Sequence, residues 1–353
     1  MRSDDLLQLI GVFHFIAVWL ILPIVSVWLP IYILLCTRFS WTIYLYIVWY
    51  CYDFKTPRMG SRNWKFYKNS WLWKNFANYF PISLVKTANL SPKHNYILGC
   101  HPHGVLSVGA FTHLCTNATG FDEKYPGIQS NIATLNGQFW FPFRRELGIA
   151  LGGVQCCKNS ISYLLSGSCG GRLVGIVIGG AEEALDARPG NHVLNLMSRR
   201  GFCQLAFQHG AHLIPSYSFG ENEIYQQKYN ERGTPLRNVQ TMIKKKFGFC
   251  PPLFNGCGVL LQRFGILPFR RPITTVIGAP IQVTRFINPT KLQVVANTAV
   301  ADIAPVVMQA NSHRIREVVS NLQIALEHSI FVGGGESTAE RWRDGEQMSW
   351  WWW

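Results

Sequence analysis

Residues 96–106 read Tyr-Ile-Leu-Gly-Cys-His-Pro-His-Gly-Val-Leu, an apolar run that ends on two histidines separated by a proline. The β-branched and aromatic side chains before the histidines predict a short buried strand. Pro102 fixes its own φ and lacks an N–H donor, and Gly104 permits a tight exit, so the strand is expected to end in a loop. His101 and His103 are therefore predicted to lie at a strand-to-loop junction that a substrate can reach. A surface turn that happens to contain two histidines is the alternative.

Further along the chain, predicted strands alternate with helical segments. Residues 173–178 are β-branched and end at a Gly-Gly pair, residues 212–219 end at Gly220, and residues 274–277 end at Gly278. A helix with acidic residues in its first turns is predicted after Gly180, where their charge suits the helix dipole, and residues 202–209 are apolar at helical spacing. This alternation predicts an α/β layer architecture.

The composition indicates a chain that is partly embedded in lipid. Hydrophobic residues make up 48% and charged residues only 15%, against about 25% charged in a typical soluble protein. The net charge of +14 favours anionic partners such as a membrane surface or a phosphorylated small molecule. Nucleic acid is disfavoured because no zinc-finger, RNP or basic-helix pattern is present. The ten cysteines include no Cys-x-x-Cys pair, which favours reduced, buried thiols over disulfides or a zinc site.

The N-terminal segment is apolar enough to enter a membrane. Between Leu6 and Tyr52 the only formally charged residue is Arg38, and about 20 apolar residues suffice for one span. We therefore expect a helical hairpin within residues 1–53 that turns near Arg38, either transmembrane or re-entrant. Basic residues follow it, so both ends are predicted to face the cytosol. The basic and aromatic residues 54–95 are expected to lie on the bilayer surface.

A histidine base needs a partner that orients and polarises the imidazole, usually a carboxylate. The first acidic residue after His103 is Asp122, so the partner must come from elsewhere in the chain. Glu183, after a strand and a Gly-Gly turn, is the best-placed candidate; the alternative is a carboxylate that only offsets the helix dipole. The absence of a Gly-x-Ser-x-Gly elbow and of a phosphate-binding glycine loop disfavours a serine hydrolase and nucleotide-driven chemistry. No metal site is predicted.

Besides the His-Pro-His-Gly tetrapeptide, five other motifs are recognisable along the chain. Together the six are similar to those of the diacylglycerol acyltransferase 2 family over about residues 30–288. The tracts at residues 81–88 and 181–190 look most like the monoacylglycerol (2-acylglycerol) branch. The resemblance implies a glycerolipid-acyltransferase-like mixed sheet flanked by helices. The five are Tyr79-Phe-Pro81, Gly179-Gly-Ala-Glu-Glu-Ala-Leu-Asp-Ala-Arg-Pro-Gly190, Arg200-Gly-Phe202, Tyr217-Ser-Phe-Gly-Glu-Asn222 and Leu267-Pro-Phe-Arg-Arg-Pro-Ile-Thr-Thr-Val276.

The family implies acyl transfer from acyl-CoA to the hydroxyl of a mono- or diacylglycerol at the endoplasmic reticulum membrane and lipid droplets, with a cytosolic catalytic face. Acyl-CoA is a co-substrate, and no cofactor is implied. His101 or His103 would remove the hydroxyl proton during attack on the thioester, with Glu183 orienting the base. An acyl-cysteine path through Cys100 is the covalent alternative.

Basic residues are expected to hold the phosphates of CoA, because the arginine fork fits phosphate well. Backbone donors at Gly104 or Gly201 are candidates for stabilising the oxyanion. Lipid-headgroup contact is the alternative role for Arg270 and Arg271, and a homo-oligomer is left open. The candidate CoA ligands are Arg199, Arg200, Arg270 and Arg271.

The chain departs from the wider pattern in two places. Related glycerolipid acyltransferases carry an aspartate five positions after a histidine, where this chain has Leu106 and Val108. The catalytic domain is predicted over residues 54–288, and residues 289–353 form a tail unlike the family. The leading hypothesis is a monoacylglycerol acyltransferase. The alternatives are a diacylglycerol or fatty-alcohol acyltransferase and an inactive membrane or lipid-droplet anchor.

Overall fold

The computed structural model describes residues 3–167, 169–194, 199–247, 250, 252–258 and 265–286. The predicted tail at residues 289–353 lies outside them. The helices are α1 (Ser3–Ile16), α2 (Leu22–Cys36), α3 (Ser40–Asp53), α4 (Lys65–Lys68), α5 (Trp71–Tyr79), α6 (Val108–Cys115), α7 (Phe121–Lys124), α8 (Arg144–Ala150), α9 (Lys158–Leu165), α10 (Gly180–Asp186), α11 (Gly201–His209) and α12 (Pro235–Phe247). The strands are β1 (Ser83–Lys86), β2 (Tyr96–His101), β3 (Gln129–Thr134), β4 (Gly153–Gln155), β5 (Arg172–Val177), β6 (His212–Phe219), β7 (Gln226–Gln227), β8 (Phe254–Asn255) and β9 (Thr274–Ile277).

Seven of these strands form one sheet in the order β1-β9-β6-β2-β5-β3-β4. Every pair in it is parallel except β6 with β9. The predicted mixed α/β sheet is thus confirmed, and the four strands that the sequence predicts are β2, β5, β6 and β9. Because β5, β2 and β6 are adjacent and parallel, the loops that follow them leave the same edge of the sheet.

The central strand β2 is buried at all six positions, as expected for a parallel strand covered on both faces. Tyr96, Leu98 and Cys100 pack into the larger core cluster, which includes α5 and α6. Ile97 packs into the second cluster, against side chains of α9 and α11. Since side chains alternate along a strand, His101 lies on the same face of the sheet as Ile97.

The N-terminal helix is continuous from Ser3 to Cys36, through α1, a π-helical turn at Ala17–Ile21, and α2. Within the described ranges, it is the one helix long and apolar enough to cross a membrane. The helix ends where the sequence predicts a turn, and the following α3 has 14 residues. The α2 half is largely exposed, with Trp28 at 67% and Leu35 at 75%.

The α1 half of this helix, by contrast, is part of the protein core. The ring of Phe15 lies 4.7 Å from that of Phe76 on α5 and 5.0 Å from that of Phe111 on α6. Trp73 and Phe76 on α5 are completely buried. The buried aromatic face of α5 thus packs against α1 in the protein core, and contact of residues 54–95 with the bilayer surface stays a prediction.

A buried group of charges joins α3 to α8. The Asp53 carboxylate at the end of α3 lies 2.7 Å from the Arg145 guanidinium, and their side chains are 3% and 1% exposed. Asp53 also pairs with Arg62 and accepts the hydroxyl of Thr56. The pairing compensates the desolvation of Arg145 and Asp53, and it fixes the end of the apolar segment to the sheet domain.

Candidate active site

The segments that follow the adjacent strands β5, β2 and β6 leave the same edge of the sheet and bring the sequence motifs together. His101 ends β2, Gly179 and Gly180 follow β5, and Gly220 follows β6. In an open α/β sheet, this edge at the carboxyl ends of the strands is where ligands bind. The candidate active site lies here.

His103 has the geometry of a proton acceptor. Its Nδ1 lies 2.9 Å from the carbonyl oxygen of Gly104. A carbonyl oxygen can only accept, so Nδ1 carries the hydrogen and Nε2 carries the lone pair. No hydrogen bond to Nε2 is present among the described residues. Burial lowers the pKa of His103, and the imidazole is consequently neutral at pH 7.

His101 lies in a different environment, although only one residue separates it from His103. Its side chain is 1% exposed, and its Nδ1 is buried without a hydrogen-bond partner in the described structure. Burial lowers the pKa of His101 to about 3. His101 is therefore neutral and enclosed on the face of the sheet that also carries Ile97.

The Glu183 side chain contacts the main chain of the histidine loop, and its predicted role in orienting the imidazole stays a prediction. The carboxylate oxygen Oε2 accepts the backbone N–H of His103 at 2.8 Å. A Cβ atom at Gly179 would lie 2.1 Å from the Glu183 carboxyl carbon, so a larger residue there would displace the carboxylate. Buried Glu183 thereby fixes the backbone of the loop that carries the imidazole.

Glu221 is a further buried carboxylate at the site, and the sequence analysis gave it no role. Its two oxygens accept the N–H groups of Val108 and Gly109, at 2.7 and 2.8 Å. Burial raises the pKa of Glu221 to about 7, although the two N–H groups act in the opposite direction. Its position after a predicted strand, within the Tyr217-to-Asn222 motif, was the available signal.

Tyr217 completes the described surroundings of the loop. It lies opposite His101 in the β2–β6 register, and its hydroxyl is 3.1 Å from Nδ1 of His192. Burial, with a contribution from Glu183, raises the pKa of Tyr217 to about 12. The phenol is therefore protonated at neutral pH. No pattern in the sequence pointed to His192.

Cys100 does not have the properties of a covalent nucleophile. Its thiol is buried, and burial raises its pKa to about 12. Because the thiolate is the nucleophilic form, the acyl-cysteine alternative has no support in this geometry.

The predicted CoA ligands are dispersed among the described residues. Arg270 forms an ion pair with Asp5 at 3.2 Å and lies over the ring of Tyr79. Arg271 and Arg200 are exposed, and Arg199 is partly buried. Among the described residues, Arg200, Arg270 and Arg271 form no contact with the histidine loop, and the role of all four arginines in holding CoA stays a prediction.

The two candidate oxyanion donors differ in their surroundings. Gly104 is buried at φ +62° against Glu221, directly after His103. Gly201 opens α11, which packs on the opposite side from α6. The assignment of the oxyanion donor also stays a prediction.

Residues 32–301 match the diacylglycerol acyltransferase family model. The chain belongs to this family. It is 44% identical to 2-acylglycerol O-acyltransferase 1 of Bos taurus, over 82% of this chain and 86% of that protein. It is 45% identical to diacylglycerol O-acyltransferase 2 of Danio rerio, over 81% of this chain and 79% of that protein. This member of the diacylglycerol acyltransferase family is therefore an acyl-CoA-dependent O-acyltransferase of lipid synthesis.

No solved structure matches this acyltransferase. The mixed sheet is observed directly, whereas its likeness to other glycerolipid acyltransferases stays a prediction.

Proposed function

We propose that this acyltransferase transfers a fatty acyl group from acyl-CoA to a free hydroxyl of monoacylglycerol, giving diacylglycerol for triacylglycerol synthesis. The sequence motifs of the monoacylglycerol branch support this acceptor, as does the relative named 2-acylglycerol O-acyltransferase 1.

In this proposal His103 is the general base. The observation that carries it is the hydrogen bond from Nδ1–H to the Gly104 carbonyl, which directs the Nε2 lone pair away from the main chain. Nε2 takes the hydroxyl proton as the oxygen attacks the thioester carbonyl. The tetrahedral intermediate collapses, the C–S bond breaks, and the CoA thiolate takes the proton back from the imidazolium. The acyl group passes directly to the acceptor oxygen.

Glu183 serves this step by holding the main chain of His103. The N–H of Gly104 or of Gly201 is proposed to donate to the thioester oxygen as negative charge develops there.

We place the apolar α2 and α3 as a hairpin in the endoplasmic reticulum membrane, with the catalytic face cytosolic and lipid droplets as a second location. The exposed apolar side chains of α2 support membrane contact. Basic residues that follow α3, such as Lys55 and Arg58, support the cytosolic side. Arg199, Arg200, Arg270 and Arg271 are proposed to hold the CoA phosphates.

A second candidate function uses diacylglycerol as the acceptor and gives triacylglycerol. The 45% identity to the relative named diacylglycerol O-acyltransferase 2 favours it, because identity is nearly the same for both kinds of relative.

The test uses microsomes that express the full chain, with labelled oleoyl-CoA and either 2-monoacylglycerol or diacylglycerol as acceptor. Wild type is compared with His103→Ala, His101→Ala and Glu183→Gln, each normalised to folded protein. The matched control is His94→Ala, because His94 is exposed before the amino end of β2. Loss of a general base is expected to lower kcat by about 10²- to 10⁴-fold in His103→Ala.

Labelled diacylglycerol from wild type and His94→Ala, with little from His103→Ala, supports the proposal. Triacylglycerol formed only with added diacylglycerol moves the chain to the second candidate. Full activity in folded His103→Ala, or activity lost in His101→Ala alone, contradicts the assignment of His103. No product with any acceptor from folded wild type favours an inactive anchor.

A further inference from the structure

The first turn of α6 has an unusual capping arrangement. Ser107 is the residue before the helix, with φ +53°, and serine there commonly caps the helix with its own hydroxyl. Here the Ser107 hydroxyl does not cap α6. It donates instead to the carbonyl oxygen of His103 at 2.8 Å. The residue that would ordinarily stabilise the helix is therefore used to hold the proposed base.

The missing cap comes from another strand. Glu221, just past the end of β6, accepts the N–H groups of Val108 and Gly109 with one carboxylate oxygen each. These N–H groups have no partner within the helix, and a buried donor left unsatisfied would destabilise this end of α6. Because the Glu221 side chain is only 1% exposed, water cannot take its place as the acceptor of these two N–H groups.

The fit around this carboxylate is tight on two sides. A Cβ atom at Gly104 would lie 2.5 Å from Cγ of Glu221, and one at Gly109 would lie 3.1 Å from its Oε2. Gly104 is also the residue whose carbonyl accepts Nδ1–H of His103. Glu221 thus contacts both the turn that sets the imidazole tautomer and the helix that follows it.

We propose that Glu221 is a positioning residue for acyl transfer, which caps α6 from the neighbouring strand and so leaves Ser107 and Gly104 to fix His103. The inference rests on the proposed function, in which His103 is the base. Glu221 acts through these groups and does not itself touch substrate.

This role requires the ionised carboxylate. When the carboxyl group is protonated, one of its oxygens carries an O–H, which is a donor. This O–H and a main-chain N–H of α6 are then two donors that face each other, and their hydrogen bond is lost. Glu221 is bonded to the uncharged first turn of α6, its Oε2 shares the space beside Gly109 with the hydroxyls of Ser218 from β6 and Thr275 from β9, and Cys100 from β2 is near enough to interact with its charge. No basic side chain is among these described neighbours, so burial dominates and the carboxyl pKa is about 7. The cap is therefore expected to weaken as pH falls below 7.

The experiment measures kcat and KM for oleoyl-CoA from pH 5.5 to 8.5, on the full chain in microsomes. Wild type is compared with Glu221→Gln and Glu221→Asp, and His103→Ala reports on the proposed function itself. The matched control is Glu223→Gln, in the short 3-10 helix Glu221–Glu223 that also contains Glu221; the Glu223 carboxylate accepts the N–H of Gly190 instead. Folded protein is quantified by resistance to limited proteolysis.

Wild-type kcat is expected to fall on the acid side with a midpoint near pH 7. In Glu221→Gln, kcat at pH 7.5 is expected to drop about 10- to 100-fold with KM within about twofold, because misplacing a catalytic group affects the transition state most. In this variant the decrease in kcat with a midpoint near pH 7 disappears. Only the decrease at lower pH that is caused by protonation of His103 remains. Glu221→Asp keeps the charge, so it retains the decrease near pH 7 and part of the activity.

Equal loss of activity in both variants with the acid limb unchanged would overturn the inference, as would a wild-type profile that is flat down to pH 6. The wild-type profile and Glu221→Asp decide the matter even where Glu221→Gln does not accumulate. Full activity in His103→Ala contradicts the proposed function. Full activity in Glu221→Gln beside an inactive His103→Ala contradicts only the positioning role.

Discussion

Burial sets the protonation of the individual side chains at the site. It lowers the pKa of His103 and His101, and it raises the pKa of Cys100 and Tyr217 to about 12. At pH 7.5 the loop therefore presents neutral imidazoles beside a protonated thiol and a protonated phenol. Such a set suits transfer of one proton from an alcohol to a thiolate, with no second nucleophile competing.

Replacement of Cys100 tests the direct path. Because the Cys100 thiol stays protonated, Cys100→Ala is expected to keep kcat within about threefold of wild type, measured with oleoyl-CoA and 2-monoacylglycerol. Stable acyl label on wild-type protein that hydroxylamine removes, and that Cys100→Ala lacks, would instead establish a covalent path.

Individual site residues were predictable from the sequence when they follow a strand. His103 lies in the loop after β2 and Glu183 in the first turns of α10, just after β5, and the structure brings them into contact. Glu221 lies in an equivalent place but was missed, because its function depends on N–H groups that the sequence does not display. The contact of Glu183 with the main chain was likewise not readable from residue types.

At the scale of elements, the ion pair between α3 and α8 connects the apolar segment to the sheet domain. Removing one partner of a buried pair commonly costs about 3–5 kcal/mol. Arg145→Met is expected to lower the unfolding free energy by about this amount, since it leaves Asp53 buried with a reduced set of partners. The measurement is the shift of the urea midpoint in detergent, followed by tryptophan fluorescence.

The control for this shift is Asp5→Asn, which removes a largely exposed pair with Arg270. Surface pairs contribute about 0–1 kcal/mol, so this midpoint should scarcely move. The double variant Asp53→Asn, Arg145→Met is expected to recover part of the loss. A midpoint for Arg145→Met as high as that of Asp5→Asn is incompatible with a stabilising role of the buried pair.

Strands and helices were predicted best where the residues of the element itself determine its structure, without contacts from distant parts of the chain. The sequence placed β2, β5, β6 and β9 to within about a residue, because a glycine follows the strand-like run in each case except β2. The burial of α5 was not predictable in this way. Its aromatic residues suit a bilayer surface and a protein core equally, and the choice depends on α1, which is distant in sequence.

For the whole molecule, the buried histidines predict loss of stability in acid. The pKa values of His101 and His113 in the folded chain are both about 3, well below the 6.5 of an exposed imidazole, and that of His103 is also lowered. Below pH 6.5 the unfolded chain binds protons that the folded chain does not. Each group then removes up to about 1.4 kcal/mol of stability per pH unit.

Glu221 acts in the opposite direction, because its folded pKa of about 7 lies above the usual 4.5. Three histidines outweigh this one carboxyl, so the thermal midpoint in detergent is expected to fall as pH decreases from 6.5 to 5. His113 forms a hydrogen bond with Thr119 and lies outside the active site. His113→Asn is therefore expected to make the thermal midpoint less dependent on pH. A midpoint independent of pH over this range contradicts the prediction.

The packing of α1 against α5 and α6 has a practical consequence for protein engineering. Excision of the whole hydrophobic leader would remove Phe15 from between Phe76 and Phe111, and α6 begins directly after the histidine loop. A water-soluble version of this enzyme therefore has to retain Ser3–Ile16. Only the exposed apolar side chains of α2 and α3 are then exchanged for polar residues, so the apolar segment is redesigned as a surface instead of being deleted.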